Sequence, residues 1–250
     1  MPGYPCQAIG ILAGLASRYT PFIWSKIVNL KPGRWQISTL SGSSALQSGQ
    51  MAGSSVEASR KEDVRSMYEG FAATYADMMD VEIGLPMYTD CLGRLRDRIA
   101  AAGLPANYPV LDTACGPGHM LAMYREQFDE ERALVGLDLA PAMVKLAREK
   151  IKGEARVEVG DMCELKEEPS GFCSAVVNFY ALQHVSHQGA QEAFVQWFRV
   201  LVPGGQLVVH LWEGSGAIDY GGQADIVALR YTSEQLQQWA KQAGFTVAAC

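Results

Sequence analysis

Two stretches of the chain place acidic and small residues directly after apolar runs. In VLDTACGPGHM, residues 110–120, Asp112 ends an apolar run, and a loop with Gly116 and Gly118 follows. In ALVGLDL, Asp138 follows the next apolar run, 26 residues after Asp112. A strand–loop–helix corner of this type cradles a cofactor, because glycines let the backbone approach a ligand closely. These residues therefore predict a nucleotide-cofactor site.

The spacing of the glycines argues against a dinucleotide. A dinucleotide needs G-x-G-x-x-G to seat its pyrophosphate on a helix N-terminus, but counting from Gly116 puts Leu121 where the third glycine belongs. The carboxylate of Asp138 can accept hydrogen bonds from both hydroxyls of a ribose. Asp161, in the sequence GDM, can accept from an exocyclic amine, and the Met162 backbone N–H can donate to a ring nitrogen. The predicted ligand is a nucleoside joined to a group without a pyrophosphate.

Helical and strand patterns alternate from residue 60 onward, which predicts a parallel sheet covered on both faces. Ligands in such sheets bind beyond the carboxyl ends of the strands. We expect the helix GAQEAFVQWFRVL to stop at Pro203-Gly204-Gly205 before a strand that starts at residue 206. The predicted strands lie at residues 108–114, 133–139, 155–161, 174–182, 206–212 and from 245 onward.

Composition narrows the class of protein. The 250 residues are 48% hydrophobic, enough for one well-buried domain. Residues 57–250 carry 27 acidic and 17 basic residues, a net charge of −10, which argues against nucleic-acid binding. No apolar run approaches the ~20 residues that span a bilayer. The six cysteines contain no CxxC pair, which argues against zinc or a disulfide framework and predicts an intracellular protein with no bound metal.

The first 59 residues differ from the rest. Residues 1–56 contain four basic and no acidic residues, and residues 38–59 are rich in Ser and Gly. This composition is typical of an organelle transit peptide or of a disordered extension. The expected organisation is an extension over 1–59 and a domain over 60–250. The location is then cytoplasmic, or mitochondrial or plastid if the extension is a transit peptide.

An ordered set of motifs carries a family resemblance over residues 64 to 250. The motifs are VLDTACGPG, LVGLDLAPAMVKLAR, VEVGDM, SAVVNFYALQHV, LVPGGQLVVH and TSEQLQQWAKQAGF. Because these motifs occur in this order, the chain resembles the class I S-adenosylmethionine-dependent methyltransferases, especially the small-molecule branch. The resemblance implies a Rossmann-like, doubly wound α/β fold: a mostly parallel sheet with helices on both faces. Family members end with a seventh, antiparallel strand, and this chain stops in the sixth, so we expect that strand to be missing.

The resemblance also implies roles for individual residues. The loop 112–118 would hold the methionine moiety, with Ala114 where the family has glycine; Asp138 would hold the ribose, and Asp161 and Met162 the adenine. The implied cofactor-binding residues are Tyr75, Asp112, Ala114, Cys115, Gly116, Gly118, Asp138, Leu139, Met143, Asp161, Met162, Asn178 and Phe179.

Two residues at the end of the fourth predicted strand, Tyr180 and His184, are the candidates for catalysis. They follow the strand close to the expected acceptor position. A base is needed only when the acceptor has a proton to lose. We therefore predict that His184 is a base or an acceptor-binding residue. The alternative is a histidine at the start of a helix whose hydrogen bonds are made to the backbone.

The predicted function is in-line transfer of a methyl group from S-adenosylmethionine to a small-molecule acceptor. One alternative is a methyltransferase-like binding module without activity. A second, an NAD-dependent reductase, is disfavoured by the missing third glycine and by the absence of a Tyr-x-x-x-Lys pair, since YALQH contains no lysine. NFYA in place of an Asn-Pro-Pro-Tyr motif favours a metabolite acceptor over nucleic acid. The acceptor, the methylated atom and the oligomeric state stay open.

Overall fold

The computed structural model describes residues 8–12, 57–218 and 226–248, which form one seven-stranded sheet flanked by helices. The strands are β1 (Ala8–Leu12), β2 (Val110–Asp112), β3 (Leu134–Asp138), β4 (Arg156–Val159), β5 (Cys173–Phe179), β6 (Leu201–His210) and β7 (Thr246–Ala248). The helices are α1 (Lys61–Glu82), α2 (Pro86–Ala101), α3 (His119–Gln127), α4 (Pro141–Ile151), α5 (His187–Val200) and α6 (Ser233–Ala243), with a 3-10 turn at Leu182–His184.

The strand order of the sheet is β4-β3-β2-β5-β6-β1-β7, and each pairing of these strands is parallel. From β2 the chain moves outward through β3 to β4, and it then returns to the other side of β2 as β5. The reversal between β2 and β5 makes a topological switch point, where sheets of this class bind ligands. The predicted doubly wound α/β fold is confirmed.

Alternate residues of each central strand pack into cores on opposite faces of the sheet. Leu111 and Val176 join one core, whereas their neighbours Val110 and Val177 join the other. Successive side chains of a strand point to opposite faces, so continuous apolar runs such as these require cover on both sides. Helices α5 and α6 supply the cover on the first face, and α2, α3 and α4 supply it on the second.

Helix ends follow local sequence signals. Thr232 and Gln235 form a reciprocal capping box at the start of α6, and Gly244 ends the helix in the left-handed conformation at φ +110°. Proline occupies the first turn of both α2 and α4, where its missing N–H leaves no hydrogen bond unmade.

Residues 8–12, which the composition assigned to a disordered or transit-peptide-like extension, form β1 inside the sheet. This strand lies between β6 and β7, parallel to both, with Ala8 opposite Gln206 and Thr246. Its partners are more than 190 residues away in sequence, so local composition does not reveal the pairing. Residues 1–7 and 13–56 lie outside the described residues, and the predicted domain boundary at 59/60 stays a prediction. No antiparallel pair belongs to the sheet in the described part of the chain.

The prediction that Pro203-Gly204-Gly205 separates a helix from a strand is wrong in detail. Helix α5 already ends at Val200, and β6 runs from Leu201 through these three residues. The pairing of β6 with β5 jumps from Cys173–Leu201 to Ala175–Gln206, so the proline and glycines lie in an irregularity of the ladder. A bulge leaves a residue unpaired, which is where a sheet tolerates proline.

No helix in the described ranges has both the length and the apolar character that crossing a bilayer requires.

Candidate cofactor and acceptor site

A cavity of about 440 Å³ opens at the carboxyl ends of β2, β3 and β5, at the switch point of the sheet. Helix α1 and the residues just before it form part of its wall. Among the residues that the sequence predicted for the site, those that line the cavity are Tyr75, Ala114, Gly116, Asp138, Leu139, Met143, Asp161, Met162, Phe179, Tyr180 and His184.

Asp138 joins the end of β3 to the glycine loop. Its Oδ2 accepts a hydrogen bond of 2.9 Å from the Gly116 N–H, and its Oδ1 accepts one of 2.9 Å from the Ala140 N–H. A ligand hydroxyl can add to these contacts, because a carboxylate oxygen can accept more than one hydrogen bond. Burial raises the pKa of Asp138 to about 6, against the effect of the hydrogen bonds, so this carboxylate is ionised at pH 7.5.

Gly116 lies close to the aromatic wall of the cavity. It has φ +51°, and a Cβ atom placed on it would lie 3.6 Å from Cε1 of Tyr75. The glycine therefore supplies the left-handed turn that brings the loop backbone up to the cavity, as the sequence predicts.

Asp112 supports the loop from beneath and does not line the large cavity. Its Oδ1 accepts from the Ala114 N–H at 3.2 Å, and its side chain is 1% exposed. Together with Cys115 it borders a smaller cavity of about 30 Å³ beside the loop. Burial is the main reason that the pKa of Asp112 is raised to about 7; the hydrogen bond from the Ala114 N–H lowers the pKa, and the nearby Asp138 carboxylate raises it by less. Burial likewise raises the pKa of the Cys115 thiol well above its usual value, so Cys115 is no thiolate nucleophile.

We expect Asp112→Asn to remove a pH-dependent loss of stability. A carboxyl group whose folded pKa is about 7, against an ordinary 3.8, stabilises the fold below pH 3.8 and loses that contribution as the pH rises through 7. Relative to Asp112→Asn, the wild-type chain should lose up to about 1.4 kcal/mol of unfolding free energy per pH unit within that window. Urea unfolding of both proteins at pH 4.5, 6 and 8 measures the difference; parallel profiles would contradict the prediction.

Gly118 and Asn178 lie near the cavity but are not among the residues that line it. Gly118 has φ +88°, and a Cβ atom on it would lie 3.0 Å from Cα of Ala147 in α4, so it serves close packing of α3 against α4. The buried Asn178 amide donates to Thr113 Oγ1 at 3.0 Å, and its Oδ1 accepts from the Leu182 N–H at 3.1 Å. Asn178 thus stabilises the loops beside the site through hydrogen bonds to other residues of the chain. Both residues were predicted to bind the cofactor. In the structure, each of them instead holds neighbouring elements in position.

Asp161 carries an ion pair that the sequence did not predict. Its Oδ2 accepts from Lys61 Nζ at 2.8 Å, and its Oδ1 accepts from the Cys163 N–H at 2.8 Å. Lys61 also lies 3.3 Å from Glu164 Oε1, and the two carboxylates raise the pKa of its ammonium group. The start of α1 is therefore tied to the strand end that is predicted to hold adenine.

Helix α1 is held to the body at two further points. The Glu69 carboxylate accepts from the Ala142 N–H at the start of α4 at 3.0 Å. Near the other end, Asp80 accepts from Lys150 at 2.9 Å and pairs with His119 at 2.7 Å. The other cavity-lining residues of α1, Val64, Tyr68 and Tyr75, lie between the Lys61 and Asp80 contacts.

His184 is buried, and Tyr68 of α1 is its partner. The Tyr68 hydroxyl and His184 Nε2 form a hydrogen bond of 2.9 Å whose direction depends on the imidazole tautomer, and the two rings meet edge-on at 5.4 Å. Burial lowers the pKa of His184 to about 4, so the imidazole is neutral and only weakly basic at pH 7. Of the two hypotheses for His184, this environment favours acceptor binding over general-base catalysis.

Sequence reasoning missed several residues of the cavity wall. Lys61 and Tyr68 belong to a helix whose pattern indicates only an amphipathic surface, and their partners lie 100 and 116 residues away. Other such residues are Val64, Thr113, Glu164, Val185, Ser186 and Glu192. Within the described ranges, no cluster of three or more His, Cys, Asp or Glu side chains has the arrangement of a metal site.

Comparison with known families gives a match over the centre of the chain. Residues 110–205, from β2 into β6, match the family described as "Methyltransferase domain". This range contains the glycine loop, Asp138, Asp161 and the strand end with Tyr180 and His184.

Curated relatives share moderate identity over the same region. The chain is 30% identical over 118 residues to the ubiquinone/menaquinone biosynthesis C-methyltransferase UbiE of Proteus mirabilis, which covers 46% of each chain. It is 33% identical over 118 residues to the trans-aconitate 2-methyltransferase of Methylobacterium nodulans, covering 46% of this chain and 42% of that protein. The chain thus spans about half the length of the curated relatives it matches.

A solved structure shares the fold. A chain from a solved complex between the Haloferax volcanii Trm112 methyltransferase activator and a methyltransferase superposes with a TM-score of 0.55 at 20% identity, covering 72% of this chain and 75% of that one.

Proposed function

We propose that this chain, whose residues 110–205 match a methyltransferase domain family, transfers a methyl group from S-adenosylmethionine to a small organic molecule. The observation that carries the proposal is the cavity at the switch point, where the Asp138 carboxylate and the Gly116 turn meet inside the matched region. The Gly116 N–H is hydrogen-bonded to the Asp138 carboxylate at the end of β3. This arrangement fits a ligand that contains a ribose and no pyrophosphate.

The residues of the cavity fit this cofactor. When bound, it supplies a methyl group that is already activated on a positively charged sulfur. The cavity volume of about 440 Å³ lies within the range of roughly 300–1,000 Å³ that is usual for ligand pockets. Acidic side chains at its wall, among them Asp138 and Asp161, favour a cationic ligand. Asp138 would hold the ribose, Asp161 and Met162 the adenine, and the loop 112–118 the methionine moiety.

Positioning is the main task left to the protein. Holding an acceptor in line with the methyl group can supply about 7–11 kcal/mol of the barrier in well-oriented systems. Tyr68, held through its hydrogen bond to His184, and Tyr75 line the cavity from α1, while Phe179 and Tyr180 line it from the end of β5. The neutral imidazole of His184 can orient an acceptor by hydrogen bonding without acting as a base.

Names of the relatives support a small-molecule acceptor. The UbiE proteins are C-methyltransferases of quinone biosynthesis, and the Methylobacterium nodulans relative is a methyltransferase of trans-aconitate. These acceptors differ in shape and charge, so the relatives support metabolite methylation in general.

Calorimetric titration with S-adenosylmethionine, with NADH as the comparison, tests the proposal. We expect micromolar binding of S-adenosylmethionine and no heat from NADH. Transfer of a labelled methyl group to a screened set of metabolites then separates an enzyme from a binding module without activity. A folded chain that binds neither nucleotide would contradict the proposal.

His184→Gln should weaken use of the acceptor and leave the cofactor in place. Loss of one hydrogen bond of about 1–1.5 kcal/mol predicts a decrease of roughly tenfold in kcat/KM for the acceptor, with the Kd of S-adenosylmethionine changed less than twofold. The matched control is His187→Gln, since His187 is exposed and is not among the residues that line the cavity. Equal effects of both substitutions would refute an acceptor role for His184.

A further inference from the structure

Among the described residues that line the cavity, Lys61 is the one lysine or arginine, and it is the first residue of α1. The N-terminal end of a helix carries a partial positive charge, so helix stability disfavours a cation at this position. Two carboxylates that follow β4 offset this cost, because Lys61 Nζ lies 2.8 Å from Asp161 Oδ2 and 3.3 Å from Glu164 Oε1. The position of the lysine is therefore explained by the cavity wall and not by the helix that carries it.

The backbone next to Lys61 is anchored without the ion pair. The Ser59 N–H donates to the Val227 carbonyl oxygen at 3.1 Å, and Ser59 Oγ accepts from the Val227 N–H at 2.7 Å. Ala58 packs against the buried core that lies under α5 and α6. The start of α1 thus stays attached to the body when the ammonium group is removed, so the ion pair can be tested for a role in the cavity.

The Asp161 carboxylate is held at both of its oxygens. Lys61 Nζ donates to Oδ2, and the Cys163 N–H donates to Oδ1 at 2.8 Å. Hydrogen bonds to a charged group are short and strong, so two of them from different segments fix the plane of the carboxylate. The carboxylate that lines the cavity is thereby set in one orientation, which is what an oxygen must have to accept a hydrogen bond from a rigid ligand.

Lys61 is also the cation that balances Asp161. In the described part of the chain, the ion pair that Asp161 makes is the one with Lys61, whereas Glu164 also pairs with the exposed Lys166. Glu192 brings a further carboxylate to the same wall. Without the Lys61 ammonium, Asp161 would have acidic neighbours and no cation, and like charges repel, so its carboxylate would turn away from them.

We propose that Lys61 is a positioning residue for the cofactor: by pairing with Asp161 it orients the carboxylate that would accept a hydrogen bond from the adenine amino group. The inference rests on the proposed function, because the adenine belongs to the cofactor of that same site. Lys61 lies outside residues 110–205, so the family match gives it no role.

Lys61→Met in the full chain tests the inference through two ligands. One is S-adenosylhomocysteine, and the other is its deamino analogue, whose purine has hydrogen in place of the amino group. We expect Lys61→Met to weaken calorimetric binding of S-adenosylhomocysteine about tenfold and that of the deamino analogue less than about twofold, because only the first ligand can donate to Asp161. The matched control is Arg65→Met, which removes the same charge from an exposed residue of α1 that does not line the cavity. It should change neither Kd.

Two further variants separate positioning from a general structural effect. Lys61→Arg keeps a cation that can pair with a carboxylate, so its Kd for S-adenosylhomocysteine should stay within about threefold of wild type. In an Asp161→Asn background, Lys61→Met should change that Kd by less than about twofold, because effects of residues that act through one contact are not additive. A lysine that only stabilised α1 would keep its full effect in this background.

Each remaining outcome contradicts the inference in a different way. Tighter binding of S-adenosylhomocysteine by Lys61→Met would show that the ammonium competes with adenine for Asp161. Equal weakening of both ligands would show that Lys61 acts through the position of α1. An unchanged Kd in Lys61→Met would overturn the inference while the proposed function stands. Failure of the wild-type chain to bind S-adenosylhomocysteine would refute the proposed function, and the inference with it.

Discussion

Asp138→Ala should reduce the affinity for S-adenosylmethionine by at least 100-fold. In the structure this carboxylate accepts from the Gly116 and Ala140 N–H groups and lines the cavity. Its loss removes the predicted ribose contacts and also frees the loop from β3. Hydrogen bonds to a charged group contribute about 1.5–3 kcal/mol each, and about 3 kcal/mol corresponds to a 100-fold change in Kd.

Two further variants make the Asp138 experiment decisive. Asp138→Asn retains one carbonyl oxygen, so an intermediate affinity is expected, whereas Asp77→Ala removes an exposed carboxylate of α1 and should change nothing. Calorimetric Kd values are compared among proteins whose circular dichroism spectra match. A folded Asp138→Ala protein that binds within threefold of wild type would show that the ribose is held elsewhere.

Gly118→Ala should destabilise the fold by about 2–5 kcal/mol. The residue has φ +88°, and a side chain in that conformation costs about 1–2 kcal/mol. The new methyl group would also lie 3.0 Å from Cα and Cβ of Ala147 and 3.1 Å from Cδ1 of Ile151. Because the nearest of these atoms belong to the backbone of α4, overpacking adds about 1–3 kcal/mol.

Gly153→Ala separates the two contributions to that loss. Gly153 has φ +87°, almost the same conformation, but a Cβ atom on it would have nothing within 4 Å. We expect Gly153→Ala to cost only the backbone strain, so the difference between the two variants in urea unfolding measures the overpacking against α4. Equal destabilisation would show that α3 and α4 can move apart at no cost.

The proposed chemistry depends on how α1 is held. Lys61, Glu69 and Asp80 tie this helix to the strand end with Asp161, to the start of α4, and to Lys150 and His119. Tyr68 and Tyr75 lie between these ties and reach the cavity. The position of these two rings in the cavity wall therefore follows from two ion-paired residues and one backbone hydrogen bond outside the glycine loop.

Sequence by itself determined the class of the fold and the strand ends that carry the site. Apolar runs such as VLD and LVGLD are continuous because both faces of a parallel sheet are covered, and that pattern is local. Asp112, Asp138 and Asp161 could be singled out because each follows such a run, and the carboxyl ends of parallel strands share one edge of the sheet. The structure brings Asp138, Asp161 and Gly116 to one cavity, as that argument predicts.

Tertiary structure alone decided which of the predicted residues line the cavity and which support its wall. Gly118 and Asn178 look the same in sequence as residues that contact a ligand, but one packs against Ala147 and the other is bonded to Thr113 and Leu182. Lys61 meets Asp161, and Tyr68 meets His184, across 100 or more residues, and β1 pairs with β6 across still more. Periodicity reports only which face of an element is buried. Which distant element covers that face depends on the order of strands in the sheet, and that order is set by the packing of the whole chain.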